Sequence, residues 1–350
     1  MVPLNLPAFW STLKAWVRRG WWLAPPLLVG AAALAGWLIP TNQFLVLPGE
    51  AVNAGKLVSL SPPTPGNGST PGRLLLVTVY SAPANVDEWL FAHVYPHAKL
   101  VPAHTQIPPN TSFNAFQREE ARMMTDSQTA ARVVAFQQLG YTVTLHGQGA
   151  IVLQVVPGSP AAAAGLPRGD DVIALDGAPT HTAAELAQQL SQHRPGDTVT
   201  LTVSGPHAAA RGLKVTLGQR PNAAGTAFLG VGLGTDHPTY TFPKDVRIDA
   251  QGIIGPSGGL VLALQIIQAL SPGDITHGKV IAATGTIGLD GQVGPIGDVQ
   301  EKAVAVEGKA QYFLVPTANA AAVEQQAGSG LRIVPVSTIG QALAFLKTLG

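Results

Sequence analysis

The chain has 350 residues, a formal net charge of +1 at pH 7 and no cysteine. That length accommodates two ordinary domains, and the missing cysteine excludes disulfides, thiol catalysis and cysteine-held zinc. So balanced a charge gives no basic field to draw nucleic acid, and none is expected as a partner. From the N-terminus, Trp21 to Ile39 carries no charge and is long enough to read as a bilayer-crossing helix. Lys14, Arg18 and Arg19 precede it, and the next basic residue is Lys56. This asymmetry assigns residues 1–20 to the cytoplasmic side of a cell membrane and everything beyond the anchor to the other side. Trp16, Trp21, Trp22 and Trp37 stand near its two ends, where interfacial aromatics belong. A signal peptide cleaved after Ala33-Leu34-Ala35 is the competing reading, opposed by the apolar Trp37-Leu38-Ile39 beyond it.

Residues 40–139 read as a mixed strand and helix region connecting the anchor to the domains beyond residue 140. Residues 61–72 are rich in turn formers, and Leu74 to Tyr80 is strand-like. Asn85 is a helix cap, followed by acids in the first turn of a helix that runs to Val94. Residues 112–139 show helical spacing of Phe113, Phe116, Met123, Met124, Val133, Val134, Phe136 and Leu139, assigned to packing and to no binding role. His93 and His97 are four apart, but no H-E-x-x-H accompanies them, so neither a metal nor another cofactor is expected.

From Gly140 the pattern changes to short strands with one helix near 181–193. Val156-Pro157-Gly158-Ser159-Pro160-Ala161-Ala162 runs on to Ala164-Gly165-Leu166. Gly169-Asp170-Asp171-Val172-Ile173 leads to Asp176-Gly177, and Pro195-Gly196-Asp197-Thr198-Val199 opens a further strand. Residues 140–218 resemble PDZ domains of the bacterial protease-associated type. The resemblance implies capture of an extended polypeptide, exposed C-termini included, by strand addition. By the same resemblance, Leu139, Gly140, Tyr141 and Thr142 form the loop that takes the peptide carboxylate. Gly140 reads equally as the residue that ends the preceding helix.

Residues 226–350 alternate strands and helices, and here the chemistry concentrates. Gly255-Pro256-Ser257-Gly258-Gly259 opens an apolar run, Leu260 to Ile267, that reads as a buried helix. Lys302 comes later, in Gly297-Asp298-Val299-Gln300-Glu301-Lys302. A serine hydroxyl is a weak nucleophile until a base takes its proton. Lysine can be that base only when neutral, a form favoured by apolar surroundings such as Val299, Ala303, Val304, Ala305 and Val306. Glycines let the backbone approach a scissile carbonyl closely, and backbone N–H groups about Gly255, Pro256 and Gly258 at the helix start are placed to hold an oxyanion.

Three rival readings of these residues fail. A nucleophile elbow needs an acid and then a histidine, and only Asp274 and His277 remain, three residues apart. Gly273 to Lys279 satisfies most of a P-loop, but position 280 is valine and the segment leads into a strand. The histidine pair at 93 and 97 lacks its acid, as above.

The order of these motifs, through Gly278-Lys279 to Thr284-Gly285 and Gly297 to Lys302, resembles the proteolytic domain of Lon proteases. The resemblance implies a Ser257–Lys302 dyad, with Thr284 orienting the lysine, in a serine endopeptidase with an α+β domain. It also implies the ATP-independent Lon-like proteases that join a PDZ domain to this domain, and a homo-oligomeric ring, a hexamer. Two positions depart from that pattern: Ile254 stands where glycine is usual, and Gly259 where alanine is usual. The class expected is α+β, with a transmembrane helix, a PDZ-like β-rich domain and a Lon-type proteolytic domain. A membrane-tethered peptide-binding scaffold without activity is the alternative.

Overall fold

A computed structural model describes residues 24–350 apart from 62–71, 206–208, 222, 251, 326–327 and 329. The fold is mixed α/β and forms two units. One joins the described residues up to Leu139 with Lys244–Gly350, and the other is Gly140–Pro243.

Helix α1 spans Ala24–Leu38. The bilayer-crossing helix expected for Trp21 to Ile39 is not supported at that length. Its fifteen described residues cover about 22 Å of the ~30 Å of a hydrocarbon core. Pro40 disfavours helical backbone at Ile39, whose N–H turns back to Gly36 O. Trp16, Trp21 and Trp22 lie outside the described residues. Among the described residues no helix is long and apolar enough to cross a membrane.

The first part of the chain then gives β1 (Pro40–Asn53), β2 (Val58–Ser61) and β3 (Arg73–Asn85). Helix α2 (Val86–Val94), β4 (Lys99–Pro102) and α3 (Phe113–Gln138) come next. Asn85 caps α2 as its sequence indicates, accepting from Glu88 N–H while the Glu88 carboxylate accepts from Asn85 N–H. Ser112 caps α3.

The second unit contains β5 (Thr144–His146), β6 (Ala150–Val155), β7 (Asp171–Leu175), α4 (Ala183–Ser191), β8 (Thr198–Ser204), β9 (Arg211–Thr216), β10 (Val231–Thr235) and β11 (Thr239–Thr241). Its sheet runs β9-β8-β7-β6-β10, with β11 paired to β5. Val199, Leu201 and Val203 alternate into its core. Asp176 and Gly177 both have positive φ, the conformation of a tight two-residue hairpin loop. The unit extends to Pro243, beyond the boundary at 218 expected for it.

The chain then returns with β12 (Asp245–Ile248), α5 (Gly259–Leu270), β13 (Val280–Ala283), α6 (Val299–Val306), β14 (Tyr312–Pro316), β15 (Arg332–Val336) and α7 (Ile339–Lys347). The large sheet runs β15-β14-β13-β3-β1-β4. Residues 40–139, expected as a connecting region, instead supply three of its six strands. The joint is the parallel pair β3/β13, from Val280↔Arg73 to Ala283↔Leu76. Burial of an apolar strand on both faces is what makes such a joint favourable, and Leu74, Leu75, Leu76 and Val77 are all buried. The proteolytic segment is therefore completed by chain that precedes the second unit.

Candidate active site

Ser257 sits on a single turn of 3₁₀ helix, Pro256–Gly258, that leads into α5. Gly255 adopts φ 89°, a conformation open to glycine and strained for other residues. The turn is fixed from two sides. Gly285 N–H donates to Ser257 O at 2.8 Å and Thr284 Oγ1 donates to the same oxygen at 3.2 Å. From α3, Glu120 O accepts from Gly255 N–H at 3.1 Å, and buried Ser127 donates its Oγ proton to Pro256 O at 3.0 Å. Glu120 and Ser127 are seven residues apart, hence on one face of α3. The Glu120 carboxyl is pushed up by burial and by the neighbouring Glu119 charge.

Lys302 lies on α6 and is 3% exposed. Its Nζ stands 2.6 Å from Ser257 Oγ and 3.2 Å from Thr284 Oγ1. Val299, Ala303, Ala305 and Val306 are buried around it, and the apolar side of α6 packs with Leu75 and Val77 of β3. Val304 is only half-buried. Burial lowers the lysine pKa from 10.5 to about 8, with Asp298 opposing the shift. At that value a usable fraction of Lys302 is neutral near physiological pH. Ser257 itself is partly exposed, while the Lys302 beside it is buried.

The structure thus brings Ser257, Lys302 and Thr284 together. Of the turn residues named for an oxyanion, Gly255 has its N–H engaged by Glu120, and Pro256 has none to offer. Ser257 and Gly258 lie at the positive end of the twelve-residue helix α5. The departure at 259 has a local cause. A Cβ there would lie 2.6 Å from Ser127 Oγ and 2.7 Å from Ile287 Cγ2, so α3 approaches where alanine would stand. Ile254 is 44% exposed beside the site.

The rival motifs find other roles. Asp274 accepts from Gly72 N–H, Thr276 N–H and Oγ1, and Gly278 N–H, which fastens a loop and leaves no free acid for a triad. Those bonds hold its carboxyl below the usual range against the opposing effect of burial. His93 Nδ1 meets Trp89 O within its own helix, and the His97 ring packs edge-on against Tyr95.

In the second unit, Gly140 has φ 78° directly after Leu139, the cap of α3, as a helix-ending glycine should. Leu139, Tyr141 and Thr142 lead into β5. That strand and β6 form one continuous antiparallel ladder with β11 and β10. It runs from Thr144↔Thr241 through the Asp236 N–H bond to Gly149 O and on to Val155↔Val231. At the start of α4, Ala183 N–H donates to Thr235 Oγ1. One edge of the strand after the expected carboxylate loop is therefore covered by the chain's own residues 231–241. Nothing in the spacing of that glycine-rich segment signals this pairing.

Comparison with known proteins agrees with both units. Residues 137–206 match the PDZ domain family, and residues 241–348 match the Lon protease (S16) C-terminal proteolytic domain. The chain is 36% identical over 111 residues to Lon protease of Rhizobium meliloti, across 31% of this chain and 12% of that protein. It is 38% identical over 110 residues to Lon protease of Brucella abortus, across 30% and 12%. It is 33% identical over 103 residues to Serine protease PepD of Mycobacterium tuberculosis, across 29% and 22%. Among solved structures it is similar to the PDZ domain of an SdrC-like protein from Listeria innocua, with 25% identity, a TM-score of 0.23, and coverage of 25% of this chain and 97% of that one. The chain spans about 12% of the length of these Lon proteases. Residues 241–348 are thus a Lon-type (S16) serine-protease domain, preceded along the chain by a PDZ domain.

Proposed function

We propose that this chain is an endopeptidase in which Ser257 is the nucleophile, Lys302 the base and Thr284 the group that orients it. The observation that carries the reading is a lysine 3% exposed with its Nζ 2.6 Å from the Oγ of a partly exposed serine. Neutral Lys302 takes the Ser257 proton as Oγ attacks the peptide carbonyl. The negative charge on the former carbonyl oxygen faces the backbone N–H groups of Ser257 and Gly258 at the start of α5. The ammonium then returns its proton to the departing amine, and an ester remains on Ser257. Water, deprotonated by the again neutral Lys302, cleaves that ester and frees the serine.

Substrates are extended or unfolded polypeptides, cleaved without ATP. We read the 21–39 stretch as the membrane tether of an extracytoplasmic protease, a reading supported by its lack of charge and by the exposure of Leu27, Leu28, Val29, Leu34, Trp37 and Leu38 on α1. The PDZ unit admits a substrate segment or C-terminus by strand addition. Residues 231–241 already hold one edge of β5, so an incoming strand pairs with its other edge.

The test is fluorophosphonate labelling and casein cleavage by the full chain in detergent or vesicles. Ser257→Ala and Lys302→Ala should abolish both, His277→Ala should leave both, and added ATP should change neither rate. Persistent cleavage in Lys302→Ala would overturn the dyad. An inert wild-type chain would favour the peptide-binding scaffold. Recovery of a chain starting at Gly36 would replace the tether with a cleaved signal peptide.

A further inference from the structure

Beside the dyad, but not in it, three charges meet at the start of α6. Asp298 occupies the left-handed region at φ 50° and has no capping bond from its side chain. Its carboxylate stands one helical turn before Lys302, whose N–H donates to Asp298 O at 3.2 Å. Glu301, next to Lys302, is buried, and its Oε2 has no hydrogen-bond partner. Of the two, the Asp298 carboxylate favours the ammonium of the buried amine and so opposes its use as a base. A single cation from another element answers both. Lys99 on β4 reaches Asp298 Oδ1 at 3.3 Å and Glu301 Oε1 at 3.7 Å.

We propose that Lys99 is a positioning residue of the Ser257–Lys302 site: it neutralises Asp298 and Glu301 and thereby keeps Lys302 available as a neutral base. The inference rests on the dyad reading above. Lys99 does not touch Ser257 or a substrate, and its side chain remains 45% exposed while the carboxylates it meets are 16% and 9% exposed. That asymmetry suits a screening role, since an exposed cation costs little desolvation while two nearly buried anions gain a counter-charge. Charged side chains on the elements packed with α6 are Glu50 on β1, Arg73 on β3 and Glu324 on the short helix Ala320–Glu324. The charge that bears on the Lys302 proton is Asp298, in the direction of the ammonium.

The experiment is the second-order rate of fluorophosphonate labelling of the full chain from pH 6 to 10. Deprotonation of Lys302 should make the wild-type rate rise with a midpoint near 8. Lys99→Met should move the midpoint up by about half a pH unit, the size expected between partly exposed charges. Asp298→Asn should move it down, and asparagine tolerates the left-handed backbone there. In the Asp298→Asn background, Lys99→Met should lose most of its effect. Lys99→Arg, which keeps the charge, should leave the midpoint in place. An unmoved midpoint in folded Lys99→Met, or an equal shift with Asp298 already removed, overturns the proposal. Labelling that survives Lys302→Ala would instead overturn the dyad itself, and with it any role for Lys99.

Discussion

The large sheet has two halves of opposite construction. Strands β13, β14 and β15 are parallel and come from residues 280–336. Strands β3, β1 and β4 are antiparallel to their neighbours within 40–102. Ser257, Thr284 and Lys302 all belong to the segment that holds the parallel half. Much of the burial and clamping around them comes from the other segment. Leu75 and Val77 on β3 close the apolar side of α6, while Glu120 and Ser127 on α3 hold the serine turn. Reactive groups and the surroundings that tune them thus lie on stretches of chain separated by the whole PDZ unit. Burial, not a charged partner, depresses the lysine, so the segment without a motif contributes to the chemistry by excluding water.

Substitution within the parallel half should give the largest effects. Lys302→Met should lower labelling of Ser257 at least about a thousandfold, because no other group can take the proton. It should also stabilise the protein. The folded-state pKa of about 8 lies below the ordinary 10.5, so between these values the unfolded chain binds the extra proton. Wild-type stability should therefore rise with pH from 8 to 10.5, by on the order of 2–3 kcal/mol. Lys302→Met should lack that slope and melt higher at pH 7, as is common when a destabilising functional group is removed. Denaturant titrations at pH 7 and 10 measure this, and a flat wild-type profile would count against a buried ammonium.

The contact between the halves can be broken at Gly259. Helix propensity alone favours alanine there by up to about 1 kcal/mol. The close approach of Ser127 Oγ, and of Ile287 N at 3.0 Å, argues the reverse. Gly259→Ala should destabilise by about 2 kcal/mol through overpacking and reduce labelling of Ser257 roughly tenfold. Adding Ser127→Ala should recover part of both losses. A more stable, fully active Gly259→Ala protein would show that α3 does not press on the turn.

The same division separates the parts of the molecule that are legible in the amino-acid sequence from those that are not. Ser257 and Lys302 are legible because a tight turn and a dry helix demand particular local residues, whereas Thr284 is reached only through the resemblance to the Lon proteolytic domain. Asp176-Gly177 and the Asn85 cap are legible for the same reason. Apolar spacing shows that one face of α3 is buried, but not that it is buried against the serine turn 129 residues further on, as Ser127 is. Glycine at 259 looks like a weakened helix start until Ser127 is seen beside it. Val231 to Leu233 reads as a strand of the proteolytic segment. It joins the PDZ unit instead, because its register continues the ladder from β5 into β6. The charge-free run at 21–39 is plain, and Pro40 ends its helix at Leu38, while residues 21–23 lie outside the described residues.

Ser127→Ala alone separates holding from reacting. It removes the bond to Pro256 O at 3.0 Å, worth about 1 kcal/mol, while that carbonyl keeps the Gly259 N–H. The labelling rate constant should fall several-fold, while the pH midpoint set by Lys302 stays near 8. A shifted midpoint would mean that Ser127 acts on the lysine's surroundings as well as on the turn.

The smallest effect should come from the antiparallel half where it does not touch the site. Asn85 closes β3 and caps α2 through a reciprocal pair of bonds with Glu88, each 2.9 Å long. Alanine there leaves a backbone N–H at the helix start without its acceptor, a loss of about 1 kcal/mol. For a unit of this size that corresponds to a melting point lower by about 2–4 °C. The labelling rate and its pH midpoint should not change, because neither α3 nor α6 is held by this cap. Should Asn85→Ala also slow labelling, the segment 40–139 would influence Ser257 through β3 as a whole. The separate clamps at Glu120, Ser127 and Lys99 would then be insufficient to describe how the two halves cooperate.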